Sequence, residues 1–124
     1  METGNKEKAI SFLKLSARGQ AEEAFLKLVS DGFIHHNPNV EGSAVALMKA
    51  LNESFRQNPT KVLEVKKIVA EDNLVAVRSV VKMNTDDRGA IVTHFFKFED
   101  GLIAEMWDSA QPVPERSLNQ YAMF

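Results

Sequence analysis

An aspartate and a histidine in the C-terminal third of the chain have the types and spacing for proton chemistry. Asp108 and His94 lie in two β-rich segments joined by one tight turn, Asp100-Gly101. Side chains alternate between the two faces of a strand. Val92, His94, Phe96 and Phe98 therefore share one face of the first segment, with Thr93, Phe95 and Lys97 on the other. On the second segment Asp108 shares a face with Ala104 and Met106, and Glu105 and Trp107 point the opposite way. If the His94 face is the covered one, an acid and a histidine meet between apolar walls built by Phe96, Phe98 and Met106. A carboxylate among such walls is desolvated, which favours its protonated form. A base poised near neutral pH is what proton removal next to a carbonyl requires.

Other polar groups compete for roles. His36 and Asn37, in the run His35-His36-Asn37-Pro38, are candidate substrate contacts, and they are equally turn-forming residues. Arg78, on a valine-rich strand, reads as an anion contact in the pocket or as an edge residue whose stem covers apolar surface. Asp108 has a bland reading as a turn cap, and His94 one as a core histidine bonded to backbone. His35, His36, His94 and Asp108 are all ligand types for zinc, but nothing in their spacing selects a metal site, and none is expected. Trp107 falls on the face opposite Asp108 and suits packing or a subunit contact. Glu64, Lys66 and Lys67 read as a solvated face. No glycine-rich loop opens a helix after a strand, and no serine sits in a nucleophile elbow.

Along the chain, three helical stripes come first. Ala9, Phe12, Leu13 and Ser16 align within Asn5 to Ala17, and Gly19 ends that helix. Ala21, Ala24, Phe25, Leu28 and Val29 form the second stripe, which Ser30-Asp31-Gly32 stops. From about Ser43 to Gln57 the third carries Ala44, Leu47, Met48, Leu51 and Phe55, with Ser43 as N-cap and Asn58-Pro59 as the stop. Phe33 to His36 is too short for a helix and reads as a short strand or extended loop. Four strands follow: Lys61 to Ala70, Leu74 to Met83, Ala90 to Phe98 and Leu102 to Ala110. Asp100-Gly101 marks a type I′ hairpin, whose central residues both need positive φ. The expected fold is α+β, three N-terminal helices covering one face of a curved, mostly antiparallel sheet of four main strands. The apolar end, Tyr121 to Phe124, is expected to dock on the body.

Composition narrows the function classes. The chain has 124 residues, which suits one domain over 1–124 with a core of its own. Lys and Arg total 15 against 17 Asp and Glu, and scattered lysines build no basic face for nucleic acid. The absence of cysteine excludes disulfides, thiolate metal sites and cysteine nucleophiles. Met1 to Lys8 carries charges of both signs and no apolar stretch of signal-peptide type, and no run approaches the roughly 20 residues of a membrane span. A cytoplasmic protein is expected.

The segment His94-Phe95-Phe96-Lys97-Phe98-Glu99-Asp100-Gly101-Leu102-Ile103-Ala104-Glu105-Met106-Trp107-Asp108, followed by Gln111 and Pro112, resembles the closing signature of SnoaL-like polyketide cyclases. That family belongs to the nuclear-transport-factor-2-like superfamily, related in fold to ketosteroid isomerase. His36-Asn37-Pro38, Gly42, Pro114-Glu115 and the Met-Phe end are also similar to it. The resemblance implies a cone-shaped fold, a homodimer through the outer sheet face, and one pocket per chain for a small hydrophobic ligand. It further implies an acid/base aspartate at Asp108, a pocket histidine at His94, polar contacts near His36 and Asn37, and no metal or organic cofactor. Two positions depart from the family pattern: Met106 stands where a histidine is usual, and His94 where many relatives carry aspartate. The implied activity is a cofactor-independent lyase or isomerase, an intramolecular aldol closure or a proton transfer α to a carbonyl. Two rivals stay open. One is a non-catalytic binding or dimerisation module. The other is a hydrolase or dehydratase, with Glu64 or Glu105 as second acid.

Overall fold

The computed structural model describes residues 4–124, so the part of the Met1 to Lys8 reading that concerns residues 1–3 lies outside them. Helix α1 spans Asn5–Ala17 and α2 spans Ala21–Leu28. Gly19, between them, has φ 78°, and a Cβ there would approach the Phe55 ring to 2.5 Å. Glycine is thus required twice, for the backbone turn and for the close approach of the third helix. That helix, α3, spans Ala44–Gln57, and the Ser43 hydroxyl accepts the Ala46 N–H at 3.1 Å as its N-cap.

Five strands form one sheet in the order β1-β5-β4-β3-β2. They are β1 Val29–His35, β2 Val62–Glu71, β3 Leu74–Lys82, β4 Ala90–Glu99 and β5 Leu102–Pro112. All neighbours are antiparallel except β1 and β5, which run parallel. The architecture is the expected α+β cone, with one strand more than expected. Ser30-Asp31-Gly32, read from sequence as a stop, lies inside β1, which follows α2 directly. A single strand that pairs with a partner about seventy positions away leaves no local turn signal, so tertiary pairing overrides the residue types.

The β4–β5 hairpin turns on Asp100 at φ 52° and Gly101 at φ 79°, as a type I′ turn demands. Two bulges adjust the face pattern. Lys66 is the extra residue of β2, between the Val65–Ser79 and Lys67–Arg78 pairs. Leu63 and Val65 therefore pack on the core before the bulge, and Ile68 packs on it afterwards. Ala104 is the extra residue of β5, between the Phe98–Ile103 and Lys97–Glu105 pairs. It corrects the strict alternation expected there, since Ile103 rather than Ala104 is buried with Met106.

The core lies between the helices and the inner face of the sheet. Phe12 of α1 meets Phe96 of β4 edge-on at 5.6 Å and Phe25 of α2 at 5.4 Å. Phe96, Phe98, Val75, Val77 and Ile103 close the layer from below. Burying a side chain of this size contributes about 1.5–3 kcal/mol. No helix among the described residues is long and apolar enough to cross a membrane.

Candidate functional site

Above this core the cone opens into a cavity of about 260 Å³, lined mainly by apolar side chains of α1, α3 and the inner sheet face. Asp108, His94 and Asn37 line it, together with Met106. His94 and Asp108 are direct cross-strand partners, one on β4 and one on β5. The pairing puts both side chains on one wall, since opposite residues of an antiparallel pair share a face.

Asn37 fixes the carboxylate. Its Oδ1 accepts the Asn39 N–H at 2.9 Å, in an Asx turn that the neighbouring proline favours. That bond orients the amide, so its Nδ2 donates to Asp108 Oδ2 at 3.1 Å. Asp108 Oδ1 accepts no hydrogen bond from the described residues and stays free for another partner.

His94 is held by packing rather than by polar contacts. Its ring stacks on Phe96, with centroids 5.6 Å apart and planes within 4°. Nδ1 is buried without a hydrogen-bond partner. Burial pulls the His94 pKa down to about 4, against a smaller upward pull from the Asp108 charge. At neutral pH it is therefore an uncharged imidazole with one N–H to donate.

The other sequence candidates lie elsewhere. His36 sits on the outer face, stacked on Trp107 at 5.1 Å, with Nε2 2.6 Å from Glu105 Oε2. One step along an extended segment reverses the side-chain direction, so His36 and Asn37 cannot both reach the cavity. His35 points inward but is spent on structure: Nε2–H donates to the Glu41 carbonyl at 2.8 Å, and Nδ1 accepts the Asn37 N–H at 3.2 Å. Arg78 faces outward and donates to the Met123 carbonyl at 2.6 Å, which anchors the tail near Phe124. Phe96 and Phe98 are buried in the core below the cavity and do not line it. Glu105 is engaged by His36, and Glu64 pairs with Lys66 at 2.7 Å, so neither offers a second acid to the cavity. Among the described residues no three His, Asp or Glu side chains gather closely enough to hold a metal ion.

Two polar lining residues were not singled out from sequence. Ser16 of α1 has a buried hydroxyl with no partner. Lys61, just before β2, reaches the cavity rim and donates to Ser54 Oγ at 2.7 Å. Its place two residues before Leu63, on the same side of the alternation, was the signal that could have found it.

The fold recurs in solved structures. AclR from Streptomyces galilaeus, a candidate hydroxylase, superposes with a TM-score of 0.71 at 24% identity, over 86% of this chain and 87% of that one. A candidate SnoaL-like polyketide cyclase from Jannaschia sp. CCS1 gives 0.70 at 14% identity, over 89% and 90% of the two chains. A nuclear-transport-factor-2-like protein of unknown function from Cytophaga hutchinsonii gives 0.72 at 14%, over 90% and 94%. No curated protein sequence matches the chain. Residues 10–106, from α1 through Met106, match the SnoaL-like domain, and the chain belongs to that family.

Proposed function

We propose that the cavity binds a small, largely apolar carbonyl compound and that Asp108 transfers a proton at the carbon next to the carbonyl. The observation that carries this reading is the arrangement of one wall: a carboxylate with a free oxygen, oriented by Asn37, directly across from an uncharged histidine. Asp108 Oδ1 takes the proton, and the electrons move to the carbonyl oxygen as an enolate. The single N–H of His94 donates to that oxygen as its charge develops, where fixed donors in a dry site are most effective. In an intramolecular aldol closure the enolate carbon then attacks a second carbonyl of the same molecule. Asp108 returns its proton to the new alkoxide. In a simple isomerisation it returns the proton to a different carbon.

This chemistry makes the chain a cofactor-independent lyase or isomerase of the polyketide cyclase kind. The decisive comparison is Asp108→Asn against wild type on a panel of β-dicarbonyl compounds, read as proton exchange with solvent deuterium. Loss of a general base lowers exchange about 100-fold or more while the circular dichroism spectrum is unchanged. Exchange at the wild-type rate in the variant would end the reading.

A binding module without chemistry is the second reading, and buried Met106, where a histidine is usual in the family, is what favours it. Tight binding of a ligand that never exchanges its protons would select it. A second copy is proposed on the outer face, where Phe95, Leu74 and Val69 are exposed, and sedimentation velocity tests for a dimer.

A further inference from the structure

The cavity has a second polar end that the proton chemistry does not use. Besides His94, its lining residues with ionisable side chains are Asp108, on β5, and Lys61, beside the start of β2. β4 and β3 lie between those two strands, so the two residues come from separate parts of the cavity wall. None of the ion pairs among the described residues includes Lys61. Of its three N–H donors, one is bonded to the Ser54 hydroxyl, which carries no charge.

Such an ammonium is poorly accounted for by the fold alone. A lysine that merely covers apolar surface keeps its head in water. Here the head is tied back to α3 at the rim, and burial holds its pKa below the usual lysine range, with no carboxylate offsetting the loss of water. Ser16 adds a buried hydroxyl without a hydrogen-bond partner on the α1 side of the same cavity. An amine without a carboxylate partner and a hydroxyl without a hydrogen bond, both lining an apolar cavity, are what a ligand of matching polarity would complete.

We infer that the natural ligand is an amphipathic acid, whose carboxylate or comparably acidic oxygen is received by Lys61 while its apolar body lies between α1, α3 and the sheet. The inference rests on the cavity being the binding site, and it adds the orientation: the acidic end at Lys61, the reactive carbonyl at Asp108 and His94.

Calorimetric titration with 2-naphthoate and its uncharged isostere 2-naphthamide tests it at pH 7, with the Met106 methyl signal in NMR reporting entry into the cavity. Wild type is expected to bind the acid at least tenfold more tightly than the amide. Lys61→Met removes that preference and leaves the amide affinity unchanged, while Lys61→Arg keeps the preference. Removing a desolvated charge also leaves the unfolding midpoint of Lys61→Met at or above that of wild type. If the midpoint instead falls, Lys61→Gln, which retains polarity, decides by the same ligand pair. Equal affinities in wild type, or a preference that survives Lys61→Met, overturn the role of Lys61 while a shifted Met106 signal keeps the cavity as the site. Failure of both ligands to bind or to move that signal overturns the inference and the cavity reading together.

Discussion

His94 and His36 stand on opposite faces of the same sheet and have opposite surroundings. Inside, His94 is stacked on Phe96, its Nδ1 lacks a partner, and burial keeps it uncharged. Outside, His36 is stacked on Trp107 and bonded to a glutamate, with 42% of its side chain exposed. Both rings lie flat on an aromatic neighbour, so the stacking does not separate their chemistry. Access to water does. A dry imidazole is a neutral donor whose protonation is costly. The inner face is thus where a polar group changes character.

The neighbours Phe96 and Phe95 sharpen this contrast most. Phe96 is fully buried and Phe95 is 47% exposed on the next position of β4. Phe96→Ala is expected to cost about 3–5 kcal/mol in urea unfolding, because it removes a ring packed on both Phe12 and His94. Phe95→Ala should cost under about 0.5 kcal/mol in the monomer. A large, concentration-dependent effect of Phe95→Ala would break the contrast and mark the outer face as covered by a second copy.

His94 gives the next largest effect, and its sign follows from proton uptake. Its pKa is about 4 when folded and near the ordinary 6.5 when unfolded, so the unfolded chain binds more protons between those values. Stability is therefore full above pH 6.5 and falls as the pH drops toward 4, by about 3 kcal/mol from this residue. His94→Phe should flatten that part of the stability curve, measured by denaturant unfolding at half-unit steps of pH. A curve as steep as wild type would show that His94 meets water in the folded protein.

The outer pair gives a smaller effect than His94. Glu105→Gln removes the charged partner of His36 at a half-exposed site and should cost no more than about 1 kcal/mol at low salt. The cost should shrink further in 1 M salt, where screening reaches about 3 Å. A loss well above 2 kcal/mol that persists in salt would place this pair in a dry interface.

Much of this arrangement was legible in the sequence, for identifiable reasons. Apolar stripes gave the three helices, because a helix of this length must bury one side. Asp100-Gly101 gave the hairpin, because few residue pairs tolerate two positive φ values. Counting from that hairpin alone puts His94 opposite Trp107; the Ala104 bulge shifts the pairing by one residue and brings Asp108 there. What escaped depended on distant partners. β1 is a strand because β5 accepts it, and Ser30-Asp31-Gly32 says nothing of that. The Lys66 and Ala104 bulges reset the alternation without a residue type that marks them. For His36 the sequence leaves a substrate contact and a turn residue open, and the extended chain, which sends it and Asn37 opposite ways, places it outside. For Arg78 it leaves a pocket contact and an edge residue open, and the pairing with Thr93 puts it on the outer face. Lys61 was passed over as one lysine among many, since sequence alone does not say which ammonium loses its water.

The bond between Asn37 and Asp108 joins positions 71 apart in the chain, and the parallel β1–β5 contact encloses the same long loop. Closing so long a loop is entropically slow, and contacts of this separation tend to form late in folding. During synthesis the three helices and β1 leave the ribosome well before β5 exists, so β1 waits with neither edge paired. The carboxylate is oriented only when that wait ends. Orientation of the carboxylate is therefore a property that the chain acquires in the last stage of its assembly.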